Sequence, residues 1–460
     1  MSDFNGNHEI LTTDPTTGVA RKIPATEMIT RSLSTNTAVM ETYTGTGYIP
    51  YIYAIVAGFP TSQNGVITPV NTTGVTIERY DLRGDGLVTL IQSNLVGVGG
   101  NYEPNLIPSL TSLSAPLLTY VGGNYQPTTM AALTTLSAPL LSYVGGNYNA
   151  NIMASLTTLS APLLTYVGGN YSPYTMASLT TLSAPLLSYV GNGYQPSLMA
   201  ALTTLSAPSL ISVGNSYQPS TMASLTSLST PLLTYVGASY QPTTMAALTT
   251  LSAPLLSYVG SDYSPSNMAS LTSLSTPALT YVGVTYSPNN MAALTTLSAP
   301  LLSYVGGNFQ PSSMAALTTL SLPALTSIGV NVARTVYTNG RIAPTTMGAL
   351  TSLTFPVIEV IGAISSVSIN IITGTAALVT FTLGSTLRRV EGNVIMTSCA
   401  LNQTSVDGLL VRLAALDGTG LTTAYSSKTV TILGTSAAPS ATGLAAKATL
   451  AARGCTVTHN

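Results

Sequence analysis

Acid, base or nucleophilic catalysis needs titratable side chains close together, and the middle of this chain has almost none. Of its 13 basic and 14 acidic residues, only Glu103 and Asp262 lie between Val98 and Ile328, where Lys, Arg and His are absent. The two histidines, His8 and His459, lie near opposite ends. We therefore expect no catalytic residue, metal site or cofactor. Without clustered cations, a nucleic-acid surface is not expected either.

Uncharged polar and aromatic side chains fill this region instead, and their chemistry is hydrogen bonding and ring stacking. We expect such a surface to contact a neutral glycan or a neutral protein surface, with an affinity that changes little with salt. The candidate binding residues in one representative repeat are Asn124, Tyr125, Thr135 and Ser137.

Positive charge enters the array at one insertion, which contains Arg334, Tyr337 and Arg341. An insertion in one repeat maps to a loop on one edge of the array, so these residues form either a plain loop or a contact site. Binding that weakens strongly with salt would point to this insertion or to Arg388 and Arg389.

The recurring side chains follow from a 23-residue repeat that runs from about Val98 to Ile328. A typical repeat extends from Tyr125 to Asn147. A fixed period of this length predicts a solenoid, in which each coil leaves an apolar face bare until its neighbours cover it.

Comparison of the repeats predicts which positions face inward. Alternation around Leu136 turns Thr135 and Ser137 outward, and Pro139 ends this strand because it has no N–H to donate. Pro127 suits the first turn of a short helix or 3₁₀ segment, and the turn from Gly145 to Asn147 contains residues that tolerate positive φ. The predicted interior positions are Met130, Leu133, Leu136, Leu141 and Val144.

Two tyrosine columns recur with the period, one through Tyr125 and Tyr148 and the other through Tyr143 and Tyr166. Stacked aromatic columns stabilise a solenoid by themselves. Exposed rings beside Asn and Gln can also stack on sugars, so both interpretations stay open.

The pattern Leu-x-x-Leu-x-Ala-Pro-x-Leu-x-x-Val-Gly at Leu133–Gly145 resembles the 23-residue leucine-rich repeats of the BspA-like type. The resemblance extends from Leu87 to Gly362 and implies a solenoid with a β-strand and a short helix in each coil. Ala mostly replaces the third apolar residue, and the family's Ala-Phe pair is absent. Such repeats serve as general binding and structural surfaces, so the resemblance names no ligand.

The period divides the chain into three regions. Residues 1–74 form a separate N-terminal attachment region, 75–362 the solenoid and 363–460 an α/β C-terminal cap module. In the last region the sequence predicts strands within Ser366–Leu383, a helix from Ser405 to Ala414 and a strand at Lys428–Leu433. A second helix at Ser440–Arg453 and a final strand at Cys455–Thr458 complete it.

The segment Ser405–Asn460 resembles a closing module of bacteriophage virion proteins that follows leucine-rich arrays. This resemblance implies a tail-fibre or other virion-surface protein. Residues 1–74 would then dock to other virion proteins, the solenoid would bind a host-surface glycan or protein, and a homo-oligomer is expected. Met1–Ile10 lacks a signal-peptide pattern, and the longest apolar run, Tyr48–Phe59, is too short to span a bilayer. We expect synthesis in the host cytoplasm, a place on the virion surface and no membrane insertion.

Three other functions compete with a non-enzymatic virion fibre or adhesin: a cellular adhesin or scaffold, an ice-binding protein and a polysaccharide depolymerase. Aligned Thr and Ser columns favour ice binding, but Thr134 and Thr135 are adjacent, whereas a shared face needs Thr-x-Thr. A depolymerase needs paired carboxylates, and the downstream ones, Glu359, Glu391, Asp407 and Asp417, form no recognisable motif.

The two cysteines, Cys399 and Cys455, either pair or remain as two buried thiols. Two buried thiols are the simpler expectation, because two cysteines in 460 residues do not make a disulfide scaffold.

Overall fold

Each repeat folds into one three-sided coil of a parallel β-solenoid, and the computed structural model has about 15 coils of about 23 residues. In the repeat that begins at Tyr125, Thr135–Ser137 and Tyr143–Val144 form two sides as short strands. The third side has no extended strand. There, Tyr125 and Thr128 form single parallel bridges to the residues 23 positions further along the chain.

The structure describes residues 92, 95–330, 340–362 and 367–460 in full, and before residue 92 it describes only the backbone of short strands. The chain divides into two compact units. The first comprises Met1–Val213 and Pro219–Leu225, and the second comprises Gly214–Gln218 and Thr226–Asn460.

The strands of the first unit pair in parallel with strands of neighbouring coils, except for an antiparallel pair formed by the first two. In chain order they are β1 (Glu9–Thr13), β2 (Ala20–Pro24), β3 (Ile52–Val56), β4 (Val66–Ile67), β5 (Thr76–Ile77), β6 (Tyr80–Gly84), β7 (Thr89–Ile91), β8 (Gly97–Val98), β9 (Tyr102–Pro104), β10 (Ser112–Ser114), β11 (Tyr120–Val121), β12 (Thr135–Ser137), β13 (Tyr143–Val144), β14 (Thr158–Ser160), β15 (Tyr166–Val167), β16 (Thr181–Ser183), β17 (Tyr189–Val190), β18 (Thr204–Ser206) and β19 (Ser212–Val213).

The second unit continues the same alternation of short strands and ends in a region that also contains two helices. Its elements are β20 (Ser227–Ser229), β21 (Tyr235–Val236), β22 (Thr250–Ser252), β23 (Tyr258–Val259), β24 (Ser273–Ser275), β25 (Tyr281–Val282), β26 (Thr296–Ser298), β27 (Tyr304–Val305), β28 (Thr319–Ser321), β29 (Ser327–Ile328), β30 (Ser352–Phe355), β31 (Val360–Ile361), β32 (Val367–Ile371), β33 (Thr380–Leu383), β34 (Arg389–Val390), β35 (Asn393–Cys399), α1 (Gln403–Ala414), β36 (Thr429–Gly434), α2 (Ala441–Ala452) and β37 (Thr456–His459).

The predicted interior is confirmed. Met130, Leu133 and Val144 are completely buried, Leu136 and Leu141 are buried, and the less regular Leu140 is exposed. Parallel pairing holds a strict 23-residue register, so each side chain lies directly over its equivalent, as Leu136 does over Leu113. Each coil therefore buries its apolar residues against those of the coils before and after it.

The prediction of a short helix after Pro127 is wrong. Thr128 N donates to Pro104 O at 3.0 Å, so this backbone bonds to a neighbouring coil rather than within a helical turn. Thr129 then adopts a left-handed conformation, with φ 56°, which ends any right-handed turn. The described coils are thus β-structure throughout, unlike the strand-plus-helix coil that the leucine-rich resemblance implies.

The explanation predicted for the glycine turn is also wrong. Gly145 does not adopt a positive φ. A Cβ atom at this position would lie 2.1 Å from Gly122 O, so the residue is glycine because successive coils approach closely there. The left-handed corner falls instead at Thr129 and its equivalents, which include Ile152 and Leu198.

The parallel register extends beyond the predicted array at both ends. Upstream, β4 pairs with β7 and β5 with β8. Downstream, β30 pairs with β33 and β31 with β34, so coil geometry reaches Val390.

A four-stranded parallel sheet, in the order β32-β35-β36-β37, follows, with α1 and α2 as its crossovers. The predicted helices and strands of this region are confirmed to within a few residues. Asn402 caps α1, because its side-chain oxygen accepts from Ser405 N at 2.9 Å. Ser440 caps α2, and Gly454, with φ 75°, follows its end. That these helices close the stack stays a prediction.

Candidate functional site

The strongest candidate site is a face formed by the strands equivalent to Thr135–Ser137, which we call the hydroxyl face. Leu136 points inward on this strand, so Thr135 and Ser137 point outward, as predicted from alternation. Thr135 is exposed and Ser137 is half-buried. Their equivalents in the first unit are Ser112, Thr158, Thr181 and Thr204 in one column and Ser114, Ser160, Ser183 and Ser206 in the other.

The hydroxyls of these two columns have no hydrogen-bond partner within the described part of the chain. The neighbouring hydroxyl columns are different. Thr134 Oγ1 donates to Thr111 O at 3.0 Å, and Ser142 Oγ donates to Thr119 O at 3.0 Å. The Thr134 and Ser142 hydroxyls therefore tie one coil to the one before it, whereas those of Thr135 and Ser137 are available to a ligand or to water.

The spacing of the hydroxyl face is set by the backbone. Parallel strands lie about 4.8 Å apart along the stack, and residues i and i+2 lie roughly 6.6 Å apart along a strand. The face thus presents a regular grid of groups that can each donate and accept a hydrogen bond. Thr134 and Thr135 are adjacent and do not share this face, whereas the Thr-Leu-Ser alternation places Thr135 and Ser137 on it together.

Asn124 was predicted as a binding residue, but the structure gives its side chain a local partner. Its Oδ1 accepts from Asn147 N at 2.7 Å, and Asn147 Oδ1 accepts from Asn170 N at 2.7 Å. These side chains form an asparagine ladder at the corner of successive coils. In the second unit Asp262 takes the same position and accepts from Thr285 N at 3.1 Å.

Tyr125 was also predicted to contact a ligand, and the structure places it inside the coil. Only 2% of the residue is exposed, and its ring stacks on Tyr102 and Tyr148 at centroid distances of 5.1 and 4.9 Å. Burial, followed by the neighbouring phenols, raises the pKa of Tyr125 well above its usual value. This residue belongs to the core and not to a binding surface.

The other tyrosine column lies on the outside. Tyr143 and Tyr166 stack with ring centroids 4.9 Å apart and planes within 3°. Each ring covers the face of the next, so this column presents ring edges to solvent. Sugar stacking needs a bare ring face, and the interior of this column offers none.

The insertion lies partly outside the described residues, which include Arg341 but not Arg334 or Tyr337. Arg341 lies beside Gln310. Its Nη2 and Nε are 2.8 and 2.6 Å from the amide oxygen in the orientation that satisfies both groups. Near the end of the array, Arg389 forms an ion pair with Glu391.

The downstream carboxylates have local structural partners. Asp407 accepts from Ser440 N at 2.9 Å and from Ser440 Oγ at 2.5 Å, which anchors the start of α2. Asp417 accepts from Thr419 Oγ1 at 2.7 Å, and these hydrogen bonds lower its pKa. The carboxylates of Asp407 and Asp417 thus each have a partner in their own part of the fold, as Glu391 has in Arg389. At Glu359 it is the backbone carbonyl that accepts, from Arg388 N at 2.8 Å.

Both cysteines, Cys399 and Cys455, are free and buried, which confirms the expectation of two buried thiols. Within the described ranges, no group of three His, Cys, Asp or Glu side chains could hold a metal ion. None of the described helices is long and apolar enough to cross a membrane.

No family model, curated protein or solved structure matches the chain. The functional argument therefore depends on the chain's own residues.

Proposed function

We propose that this chain is a non-enzymatic structural protein of the virion surface, a fibre or adhesin that displays its hydroxyl face to a neutral glycan of the host surface. One observation carries the proposal. The outward hydroxyls equivalent to Thr135 and Ser137 have no partner within the described chain, whereas the hydroxyls beside them bond to the backbone.

A neutral polyhydroxylated polymer fits this face chemically. Sugar hydroxyls donate and accept hydrogen bonds, as do the Thr and Ser hydroxyls opposite them. Each neutral hydrogen bond contributes only about 1 kcal/mol, so a single sugar would bind weakly. A glycan chain that engages several coils at once gains through effective concentration, which favours a polymeric ligand over a small one.

The virion assignment is supported by the resemblance of Ser405–Asn460 to the closing module of phage virion proteins. In this proposal residues 1–74 attach the chain to other virion proteins. The spacing from Leu133 to Gly145 supports an origin in BspA-like leucine-rich repeats, whose coils here lack the short helix.

Ice binding is a second candidate, and a specific observation favours it. Thr135 and Ser137 share one face, and their equivalents repeat in strict register on neighbouring strands. Regular hydroxyl columns can order water as well as hold sugars. Growth of ice crystals in the presence of the purified chain tests this candidate, because an ice-binding face restrains crystal growth and a glycan-binding face does not.

A glycan array and host-cell binding test the proposed function. The hydroxyl-face variant replaces consecutive threonines by the nearly isosteric valine, and we expect it to lose binding while it remains folded. The matched control removes as many hydroxyls from the column of Ser142, whose hydroxyls donate to the backbone of the preceding coil. It should retain binding, although its free energy of unfolding should be lower. The first variant carries Thr135→Val, Thr158→Val and Thr181→Val, and the control carries Ser142→Ala, Thr165→Val and Ser188→Ala.

The place of the chain on the particle needs a separate test. An antibody raised against the repeat should label the surface of intact particles in electron micrographs. Absence of label on particles that contain the chain would contradict the virion-surface assignment. Binding that survives in the hydroxyl-face variant would contradict the assigned ligand face.

A further inference from the structure

An apolar stripe runs along the first unit at the turn after Pro139. It consists of two neighbouring columns, one of leucines in the turn and one of the half-exposed tyrosines. Leu140 is 38% exposed and Leu186 is 45% exposed, although the leucine that follows each of them, Leu141 or Leu187, is buried. The stripe comprises Leu117, Leu140, Leu163 and Leu186 together with Tyr120, Tyr143, Tyr166 and Tyr189.

The fold does not require leucine at these turn positions. In a later coil Ser209 occupies the equivalent place, and the residue after it, Leu210, is still completely buried. Ala278 occupies the place in the second unit, again followed by a buried leucine, Leu279. An exposed leucine contributes little to the stability of its coil. Its repeated presence therefore indicates contact with something outside the array.

The Ser and Thr hydroxyls beside the stripe are already hydrogen-bonded within the array. Between the two columns, Ser142 Oγ donates to Thr119 O and Thr165 Oγ1 donates to Ser142 O, each at 3.0 Å. The tyrosine rings cover one another's faces and present edges, which favours close packing against protein over stacking on sugar. A partner that covers the stripe therefore leaves few of the Ser and Thr hydroxyls between the two columns without a hydrogen bond.

We propose that the stripe is the interface between two copies of this chain, each packing its stripe against that of the other. A second copy is the occupant whose side chains repeat with the same spacing along the stack, so that matching leucines and tyrosines meet at every coil. The repeat carries almost no charge, so two identical surfaces approach without repulsion between like charges.

The available area is consistent with a stable dimer. Six of the eight residues are 38–45% exposed, and Tyr143 and Tyr166 are partly exposed. At roughly 200 Å² for a fully exposed residue, they provide on the order of 500 Å² in the first unit. This equals the largest apolar patch of a typical monomer, about 300–600 Å² and often functional, and supplies more than half of the roughly 800 Å² per partner of a standard interface. The second unit adds exposed residues of the same columns, Leu232, Leu255, Leu301 and Tyr235.

Sedimentation of the full-length chain tests the proposal. We expect the wild-type chain to have the mass of a dimer or of a larger assembly built from the same contact. The stripe variant has serine at the leucine positions, as the natural coil has at Ser209. It should fall to monomer mass while it keeps the circular dichroism spectrum of the folded wild-type chain. It carries Leu117→Ser, Leu140→Ser, Leu163→Ser and Leu186→Ser.

The matched control removes equally exposed apolar residues from a different corner, where the chain itself accepts asparagine at Asn267 and Asn290. It carries Leu106→Asn, Ile152→Asn and Leu198→Asn, and it should retain the wild-type mass. A monomeric wild-type chain, or a stripe variant that still associates, would overturn the proposal.

Cross-linking locates the contact independently of mass. A short bismaleimide should join two copies of the Leu140→Cys variant and leave the Ile152→Cys variant single, because the natural thiols are buried. Equal cross-linking of both variants would also overturn the proposal. These outcomes are separate from those of glycan binding, which depends on a different face.

Discussion

The side-chain oxygen of Asn124 accepts a hydrogen bond from the backbone N–H of Asn147, its equivalent in the next coil, at 2.7 Å. The bond satisfies a corner N–H that no strand ladder reaches. We predict that Asn124→Ala lowers the free energy of unfolding by about 1–2 kcal/mol, because it leaves this donor without a partner. Asn124→Asp keeps an acceptor, as Asp262 does, and should cost less. Equal denaturation midpoints for Asn124→Ala and wild type would contradict the role of the ladder.

Close approach of the coils at Gly145 gives a second prediction. The added methyl group in Gly145→Ala would lie 2.1 Å from Gly122 O, so the backbone must move, at a cost of about 3 kcal/mol or more. A Cβ atom added at Gly408, in α1, would meet no neighbouring atom within 4 Å. Gly408→Ala should therefore stabilise the chain by about 0.5–1 kcal/mol. Thermal melting of the two variants checks the contrast, and a similar melting temperature for both would be inconsistent with it.

The assignment of inward and outward positions gives a third prediction. Leu136→Asp places a carboxylate inside the coil without a partner and should abolish the cooperative unfolding transition of its unit. Leu140→Asp, four residues away at an exposed turn, should melt within a few degrees of wild type. Circular dichroism during heating distinguishes the two. A folded Leu136→Asp chain would show that the register is wrong.

Much of the coil could be predicted from sequence because its apolar residues repeat. Leu136 recurs with polar neighbours on both sides, and this alternation alone assigns Thr135 and Ser137 to the outside. The third side could not be predicted, because single bridges at Tyr125 and Thr128 hold it rather than a strand, and Pro127 between them also suits the start of a helix. The left-handed corner at Thr129 carries no glycine, so it gave no signal of positive φ.

The two tyrosine columns recur equally well in the sequence, which explains why Tyr125 was wrongly placed on the surface. Burial distinguishes Tyr125 from Tyr143, and burial depends on which side of the coil each one occupies. The sequence predicted the outward direction of the Thr135 and Ser137 hydroxyls. It did not predict which hydroxyls bond to the preceding coil, as that of Thr134 does, because this depends on the distance between coils.

Alkaline pH should unfold the array through its buried phenols. Burial raises the pKa of Tyr148 and Tyr194 well above the usual value of about 10 for an exposed phenol. A phenol whose pKa is higher in the folded state stabilises the fold fully below pH 10 and progressively less above it. Unfolding should therefore begin above about pH 10 and release several protons together.

Circular dichroism and tyrosinate absorbance, recorded on the same samples, check this expectation. Replacing buried tyrosines by phenylalanine, which occupies this column naturally at Phe309, should move unfolding to higher pH. The variant carries Tyr125→Phe, Tyr148→Phe and Tyr171→Phe. Unfolding at the same pH as wild type would show that these phenols do not drive the transition.

The most direct test of the account is the affinity of the full chain for its glycan or host-surface ligand at low and high salt. The hydroxyl face has no cations that release counterions, so we predict a change of no more than about twofold across this range. The variant carrying Thr135→Val, Thr158→Val and Thr181→Val should lose binding at both salt concentrations. A fall of about tenfold or more at high salt, with the variant unaffected, would contradict the central claim and move the site to charged residues.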